Sequence, residues 1–269
     1  PYVSSQINEF DGDYNFGYNG GIDLKYGITE SFTLDLTLVP DFQQVEFDPL
    51  VLNMSPFEIK YDEKRSFFTE GIELFRKGNL FYSRRIGGAP FGEAELNPNE
   101  ILTDSPENVK LINATKVSGR TNDSYGIGFF NAVTANTYAE IEDTITNDTR
   151  RDIISPITNY NMLVLDKSFN KNSFLTFINT NVSRKHDYRN ANVTGLLASI
   201  TNPKNTHAIN TSLKGSIVKE NNENQYGFSS LLNIQKISGE IQYWIQNYIE
   251  SDKYDINDIL KILHHRYPF

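Results

Sequence analysis

The stretch DEKRSFFTEG, from Asp62 to Gly71, gathers two acids, two bases, a pair of adjacent phenylalanines and then a further acid. Glu63 and Glu70 are candidates for a pair acting as acid and base on a glycoside. That chemistry needs a cleft, a separation of ~5 to 10 Å and one carboxyl with a raised pKa. Lys64 and Arg65 work against it, because adjacent cations depress a carboxyl. Asp41, Glu46 and Asp48 offer the hard oxygen ligands that calcium takes, at a spacing that matches no recognised loop. The remaining chemistry is charge pairing, since an isolated buried charge is costly and a paired one is tolerated. The near balance of DEKR favours this last reading, so no catalytic residue, metal or cofactor is assigned.

Such residues need a scaffold, and the rest of the chain reads as one built of β-strands. SYGIGFFNAVTANTYAEI places Tyr125, Ile127, Phe129 and Val133 on one parity, with Ser124, Gly126, Gly128, Ala132 and Thr134 on the other and Phe130 as the exception. HAINTSLKGSIV, QYGFSSLLNIQKI and GEIQYWIQNYIES alternate in the same way. A period of two is the signature of a strand with one apolar and one polar face. The segments run to about 10 to 12 residues, longer than a typical sandwich strand and sufficient for a tilted strand to cross a bilayer. DKSFNKNS, RKHDYRN, TNPKNT and KENNENQ read as turns between them. The pattern predicts an all-β, antiparallel, up-and-down meander of roughly ten to twelve strands.

The stretch from Pro40 to Lys77 breaks this rhythm with Pro40, Pro49 and Pro56 and with acids mixed among phenylalanines. It reads as a long insertion in a single domain spanning 1–269, packed against the polar inner wall of a barrel. NLFYSRRIG is expected to resume strand, Arg84 and Arg85 are expected on the wall, and 252–269 is read as a ragged tail.

Bulk properties narrow the function classes. A formal charge of −9 with interspersed signs lacks the basic stripe of a nucleic-acid binder. With no cysteine there is no disulfide or thiolate chemistry, and four histidines support no histidine-rich metal site. No apolar run is long enough for a transmembrane helix, which leaves a transmembrane barrel open. The chain opens at Pro1 without a basic-then-apolar leader and is read as a mature protein or a fragment.

GGIDLKYGITESFTLDLTLVPDFQQVEFDPLVLNMSPFEIKYDEKRSFFTEGIELF, closed by LFYSRRIG, resembles a family of Bacteroidota envelope proteins. In that family a module like the family-nine carbohydrate-binding domain precedes a large C-terminal domain of unknown function, an outer-membrane β-barrel. KVSGRTNDSYGIGFFNAVT, SPITNYNMLVL and YDINDIL look like later landmarks, so the resemblance reaches almost the whole chain. At the positions that match the motif, it implies a lumenal charge network of Asp41, Gln44, Glu46, Asp48, Glu63, Lys64, Arg65, Glu70, Arg84 and Arg85. Phe42, Phe67, Phe68 and Tyr82 would pack among those charges. Val39, Gln43 and Ser66 stand where the family has Asn, Gly and Pro, changes that would loosen the turns around the insertion. Because the likeness fades after Asp258, the chain is expected to hold the first part of a larger barrel.

Three functions follow as expectations. The first is a non-enzymatic outer-membrane channel or receptor in contact with membrane lipid and handling carbohydrate or other small solutes. The second is a soluble β-sandwich that binds or cleaves glycans, and the third is a plugged envelope scaffold with protein partners. Trp244, Tyr243 and Tyr248 are read as part of an aromatic girdle. The Asn-x-Thr/Ser triplets at Asn113, Asn147, Asn181, Asn192 and Asn210 are read as turn and wall residues.

Overall fold

The computed structural model describes residues 2–10, 13–40, 61–170, 172–185 and 188–256. Its strands are β1 Tyr2–Phe10, β2 Asp13–Thr29, β3 Phe32–Leu38, β4 Glu100–Asp104, β5 Leu111–Arg120, β6 Tyr125–Thr134 and β7 Thr137–Asp143. They continue as β8 Thr149–Ser155, β9 Thr158–Phe169, β10 Ser173–Arg184, β11 Asn190–Thr201, β12 His207–Glu220, β13 Glu223–Lys236 and β14 Tyr243–Glu250. Eleven of them form one sheet in the order β1-β2-β3-β5-β6-β9-β10-β11-β12-β13-β14, each pair antiparallel. The expected all-β antiparallel meander is therefore the fold. Among the described residues β1 pairs only with β2 and β14 only with β13, so the sheet has two edges and does not close.

A second sheet, β4-β7-β8, is an outgrowth of the meander. β6 runs on into β7 and β8 into β9, so the β6–β9 hairpin continues past a break at Pro156 and Ile157. The run SYGIGFFNAVTANTYAEI spans both β6 and β7, because alternation persists across the break. DKSF, expected as the start of a turn, instead completes β9.

The two faces of the large sheet differ in kind. On β6 the burial alternates residue by residue, with Gly126, Gly128, Phe130, Ala132 and Thr134 buried and Tyr125, Ile127 and Phe129 exposed. The same holds on β12, where Ile209, Leu213 and Ile217 are exposed while Ala208, Ser216 and Val218 are buried. Across the sheet the open face is the apolar one. The covered face holds small residues, threonines, a patch of larger apolar residues such as Phe130, Met162 and Ile178, and a few charges, including Asp35, Lys116 and Asp166.

What covers that face is chain from the insertion. From residue 61 it carries one helical turn, α1 Ser66–Thr69, and two short 3-10 turns, Lys77–Asn79 and Ser83–Arg85. Phe68, Leu74, Phe75, Leu80 and Ile86 from this segment form one core with Ala114, Phe130, Met162, Val164, Ile178 and Val193 of the sheet. Phe130 is the hub, with its ring centroid 5.1 Å from Phe81, 6.1 Å from Phe68, 6.3 Å from Phe75 and 6.4 Å from Phe67. Such edge-on and tilted contacts each add about 0.5–1.5 kcal/mol beyond area burial. Gly128 lets Phe75 in, since a Cβ there would stand 3.1 Å from that ring. NLFYSRRIG, expected as strand, is instead part of this segment. Its backbone turns at Asn79 and Gly87, both with positive φ, and cannot stay extended.

Residues 251–256 also fold back over the sheet. Asp255 N donates to Ser216 Oγ at 3.0 Å, and a Cβ on Gly227 would lie 2.2 Å from Tyr254 Cα. Part of the stretch read as a ragged tail is thus packed, and residues 257–269 lie outside the described residues. The triplet asparagines sit on strands, except Asn147, which occupies a turn at φ 60°.

Val39, at the exit of β3, has φ 47° and is held there by its N–H donating to Ile112 O at 2.8 Å. The left-handed region costs a β-branched residue about 1–2 kcal/mol and an asparagine far less. Val39→Asn should accordingly raise stability by about 1 kcal/mol, read as a higher denaturant midpoint with an unchanged slope.

Candidate functional site

The densest polar constellation begins with Glu63 and Arg65. Arg65 is 7% exposed and has an extended backbone, which turns its side chain back over its own neighbours. Its Nε donates to Glu63 Oε1 (2.8 Å) and its Nη2 to Glu63 Oε2 (2.7 Å), a bidentate fork. Two further guanidinium hydrogens go to Ile86 O at 2.7 Å and Ser83 O at 2.8 Å. Ser83 Oγ donates to Glu63 Oε2 at 2.5 Å, and the guanidinium lies 4.2 Å from the Phe68 ring centre. Burial pushes the Glu63 carboxyl up, but Arg65, Ser83 and the Arg65 backbone N–H outweigh it and hold it below the usual carboxylate range. The node staples the two ends of the segment to each other.

A second node ties the segment to the sheet. Asp166 of β9, with a fully buried side chain, accepts from Lys77 Nζ at 2.5 Å, Arg120 Nη1 at 2.7 Å and Thr176 Oγ1 at 2.6 Å. Lys77 also sits 4.1 Å from the Phe174 ring centre. A third node is Lys116 of β5, which reaches Asp35 at 3.4 Å and donates to Phe67 O at 2.8 Å and Glu70 O at 2.6 Å. Lys214 of β12 donates to Gly78 O at 2.7 Å. Segment backbone carbonyls thus lie within reach of wall lysines, and the segment's Lys77 reaches a wall carboxylate.

The site residues expected from sequence divide into three groups. Glu63, Arg65, Phe67, Phe68 and Tyr82 are brought together in or beside these nodes, with Tyr82 Oη accepting from Tyr61 N at 3.2 Å. Lys64 and Glu70 are exposed, and Glu70 pairs at 2.6 Å with Lys25, whose ammonium holds that carboxyl down. Arg84 and Arg85 belong to the segment's own 3-10 turn and not to the wall, with Arg84 Nε donating to Asp62 O at 3.1 Å. Asp41, Phe42, Gln44, Glu46 and Asp48, the calcium trio among them, lie outside the described residues. Glu63 and Glu70 have different cationic partners and both are depressed, so neither is poised as the general acid of a glycosidase.

Sequence reasoning missed Asp35, Lys77, Lys116, Arg120, Asp166 and Lys214. A signal for three of them existed, because Asp35, Lys116 and Lys214 are charges inside strand-patterned runs, flanked on both sides by residues of the opposite face. The register also corrects the aromatic girdle. Trp244 pairs with Gln235 and Tyr248 with Leu231, on the parity opposite Tyr243 and Ile245, so only Tyr243 of the three shares the open face.

Removing Arg65 would strand Glu63 in a buried site, a loss of about 3–5 kcal/mol. Arg65→Ala should lower the melting midpoint far more than Lys204→Ala, which alters an exposed turn. Acid should act on the same node. Glu63 has a depressed folded pKa, so its stabilisation is full above the ordinary value of 4.5 and is lost as pH falls through the folded value. The melting temperature should decline below about pH 4.5, and Glu63→Gln should flatten part of that decline.

Fold and site together define a class, an open-faced antiparallel meander whose polar side is filled and ion-paired by an inserted segment of its own chain. The chain belongs to the family of the domain of unknown function DUF5916, whose family model matches residues 1–265. No match was found among curated proteins or among solved structures.

Proposed function

We propose that this chain is wall and plug of a bacterial outer-membrane β-barrel, a non-enzymatic receptor or gated channel for small solutes, carbohydrates among them. One observation carries the reading: the exposed face of the sheet is apolar over strand after strand, from Ile22, Leu24, Tyr26 and Ile28 on β2 to Tyr226, Phe228, Leu232 and Ile234 on β13. A protein surrounded by water rarely leaves so continuous an apolar surface bare, whereas lipid requires it. Strands β9 to β13, of 12 to 14 residues, exceed the ~9 to 11 that a tilted crossing needs. Connections at one end are short, as at Glu30–Ser31 and 121–124, while the inserted segment and the β7–β8 outgrowth leave from the other. By the usual asymmetry of such barrels the short end is periplasmic. In a closed barrel, further strands would pair with the edges of β1 and β14.

A plug favours gating over a standing pore. Among the described residues the space between Phe81, Tyr82, Phe130 and Tyr160 has a volume of about 10 Å³, room for about one water. The scaffold reading, a barrel that conducts nothing, draws on the same observation. Full-length protein extracted from membranes should show the heat-modified gel band of a folded barrel; partition into the aqueous phase would end the barrel reading. Liposome swelling then separates the remaining two, because a gated channel passes sugars once the plug is loosened and a scaffold never does.

A further inference from the structure

We propose that the inner face of β11 to β14 carries a binding track for neutral oligosaccharides, an inference that rests on the barrel reading above. Its foundation is register. Ser199, Asn210, Asn233 and Gln246 are successive cross-strand partners on four neighbouring strands, all on the face the inserted segment covers elsewhere. Ser199 Oγ donates to Asn210 Oδ1 at 2.8 Å, and Asn233 Nδ2 donates to Gln246 Oε1 at 3.4 Å. Asn233 Oδ1 is buried with no hydrogen-bond partner, and a native acceptor left in that state calls for an explanation. A ligand hydroxyl supplies one.

Trp244 and Tyr248 flank Gln246 on the same face of β14, about 13 Å apart along the strand. They are 67% and 55% exposed, the former the only tryptophan in the chain. Among the described residues the inserted segment reaches β12 through the bond from Lys214 to Gly78 O, while Trp244 and Tyr248 stay exposed. The fold-back of residues 251–256 lies over Gly227 and is bonded to Phe228 through Ser251. An open strip therefore remains, polar along its middle and aromatic on either side.

The chemistry of the strip selects its ligand. Each amide brings a donor and an acceptor without charge, which matches the paired hydroxyls of a sugar. Flat indole and phenol faces suit the C–H faces of pyranose rings, the phenol hydroxyl being held by Glu250 and Ser229. No ionised group stands in the row itself, so a cation, a phosphate or a nucleic acid would find no counter-charge there. Glu250, bonded to Tyr248, marks one end.

The test uses full-length protein in liposomes, titrated calorimetrically with maltohexaose and with cellohexaose. Saturable binding of at least one hexaose is expected, weakened about tenfold or more in Trp244→Ala and in Asn233→Ala. Tyr243→Ala, on the opposite face of the same strand, should leave that affinity unchanged. No saturable binding of either hexaose overturns the track, as does an equal loss in Tyr243→Ala. The heat-modified band reports the barrel separately, so a protein that keeps the band and ignores both sugars defeats this inference alone.

Discussion

Asp166→Ala should be the most damaging loss of a single charge on the sheet. The carboxylate is fully buried and receives two cations and a hydroxyl from three different elements: Lys77 of the segment, Arg120 of β5 and Thr176 of β10. Its removal leaves Lys77 without its carboxylate and Arg120 with only the exposed carboxylate of Glu73, at 3.5 Å. Breaking one partner from a buried ionic group costs about 3–5 kcal/mol, because the charges left behind are uncompensated. The loss should be unevenly distributed. Strand pairing at β6–β9–β10 rests on a continuous backbone ladder that the substitution does not touch, whereas Lys77 loses its carboxylate partner. Trypsin should therefore cut at Arg76 or Lys77 in the variant well before the sheet melts. In liposomes the same variant should swell in sugar solution faster than the wild type. If cutting at Arg76 or Lys77 appears only together with global unfolding, Asp166 is a stabiliser of the whole fold and not a latch on the segment.

Much of this arrangement could be read from the chain, and the parts that could not have a common cause. Period-two alternation reports which residues share a face, so β6, β12 and β13 were legible down to the side-chain parity. Phe130 stood out as an aromatic on the small-residue parity of its strand, and it is the residue on which the inserted segment converges. Alternation says nothing of which strand lies next to which position of a distant segment. The pairing of Lys77 with Asp166, 89 residues apart, and of Lys214 with Gly78, 136 apart, therefore had no local signature. The ending of β9 in DKSFNKNS escapes local reading for a related reason. Lys167 and Ser168 look like turn residues, yet Arg120 and Asp123 of the neighbouring hairpin give them partners inside the strand. Likewise LFYSRRIG has the side chains of a strand, but its last residue Gly87 and Asn79 before it take left-handed backbone angles and bend it into turns. Val39 shows the opposite case, a position where a departure from the resembled motif coincides with a strained backbone angle.

Gly128→Leu should have the second large effect, through shape and not charge. The Phe75 ring, 1% exposed, occupies the space a side chain at 128 would fill, and Leu74 closes the other side at 3.4 Å. A leucine there overfills a packed interior, which costs about 1–3 kcal/mol if the neighbours can shift and more if they cannot. On the strand itself leucine is no hindrance, since the site's backbone is ordinary extended chain with cross-strand partners Ser118 and Val164. The simplest relief is for Phe75 to leave, taking Leu74 and the Phe130 contacts with it. Expulsion exposes rings to water, at about 25 cal/mol per Å² of apolar surface uncovered. The balance between those two costs decides whether the segment is a removable body or an integral part of the core. A removable body predicts that Gly128→Leu retains the heat-modified band, exposes residues 61–92 to protease and raises sugar flux. It further predicts that adding Phe75→Ala restores the closed state by vacating the space. Should the double variant stay as open and as cleavable as Gly128→Leu, the clash with Phe75 is not what dislodges the segment, and the packing argument for a plug fails.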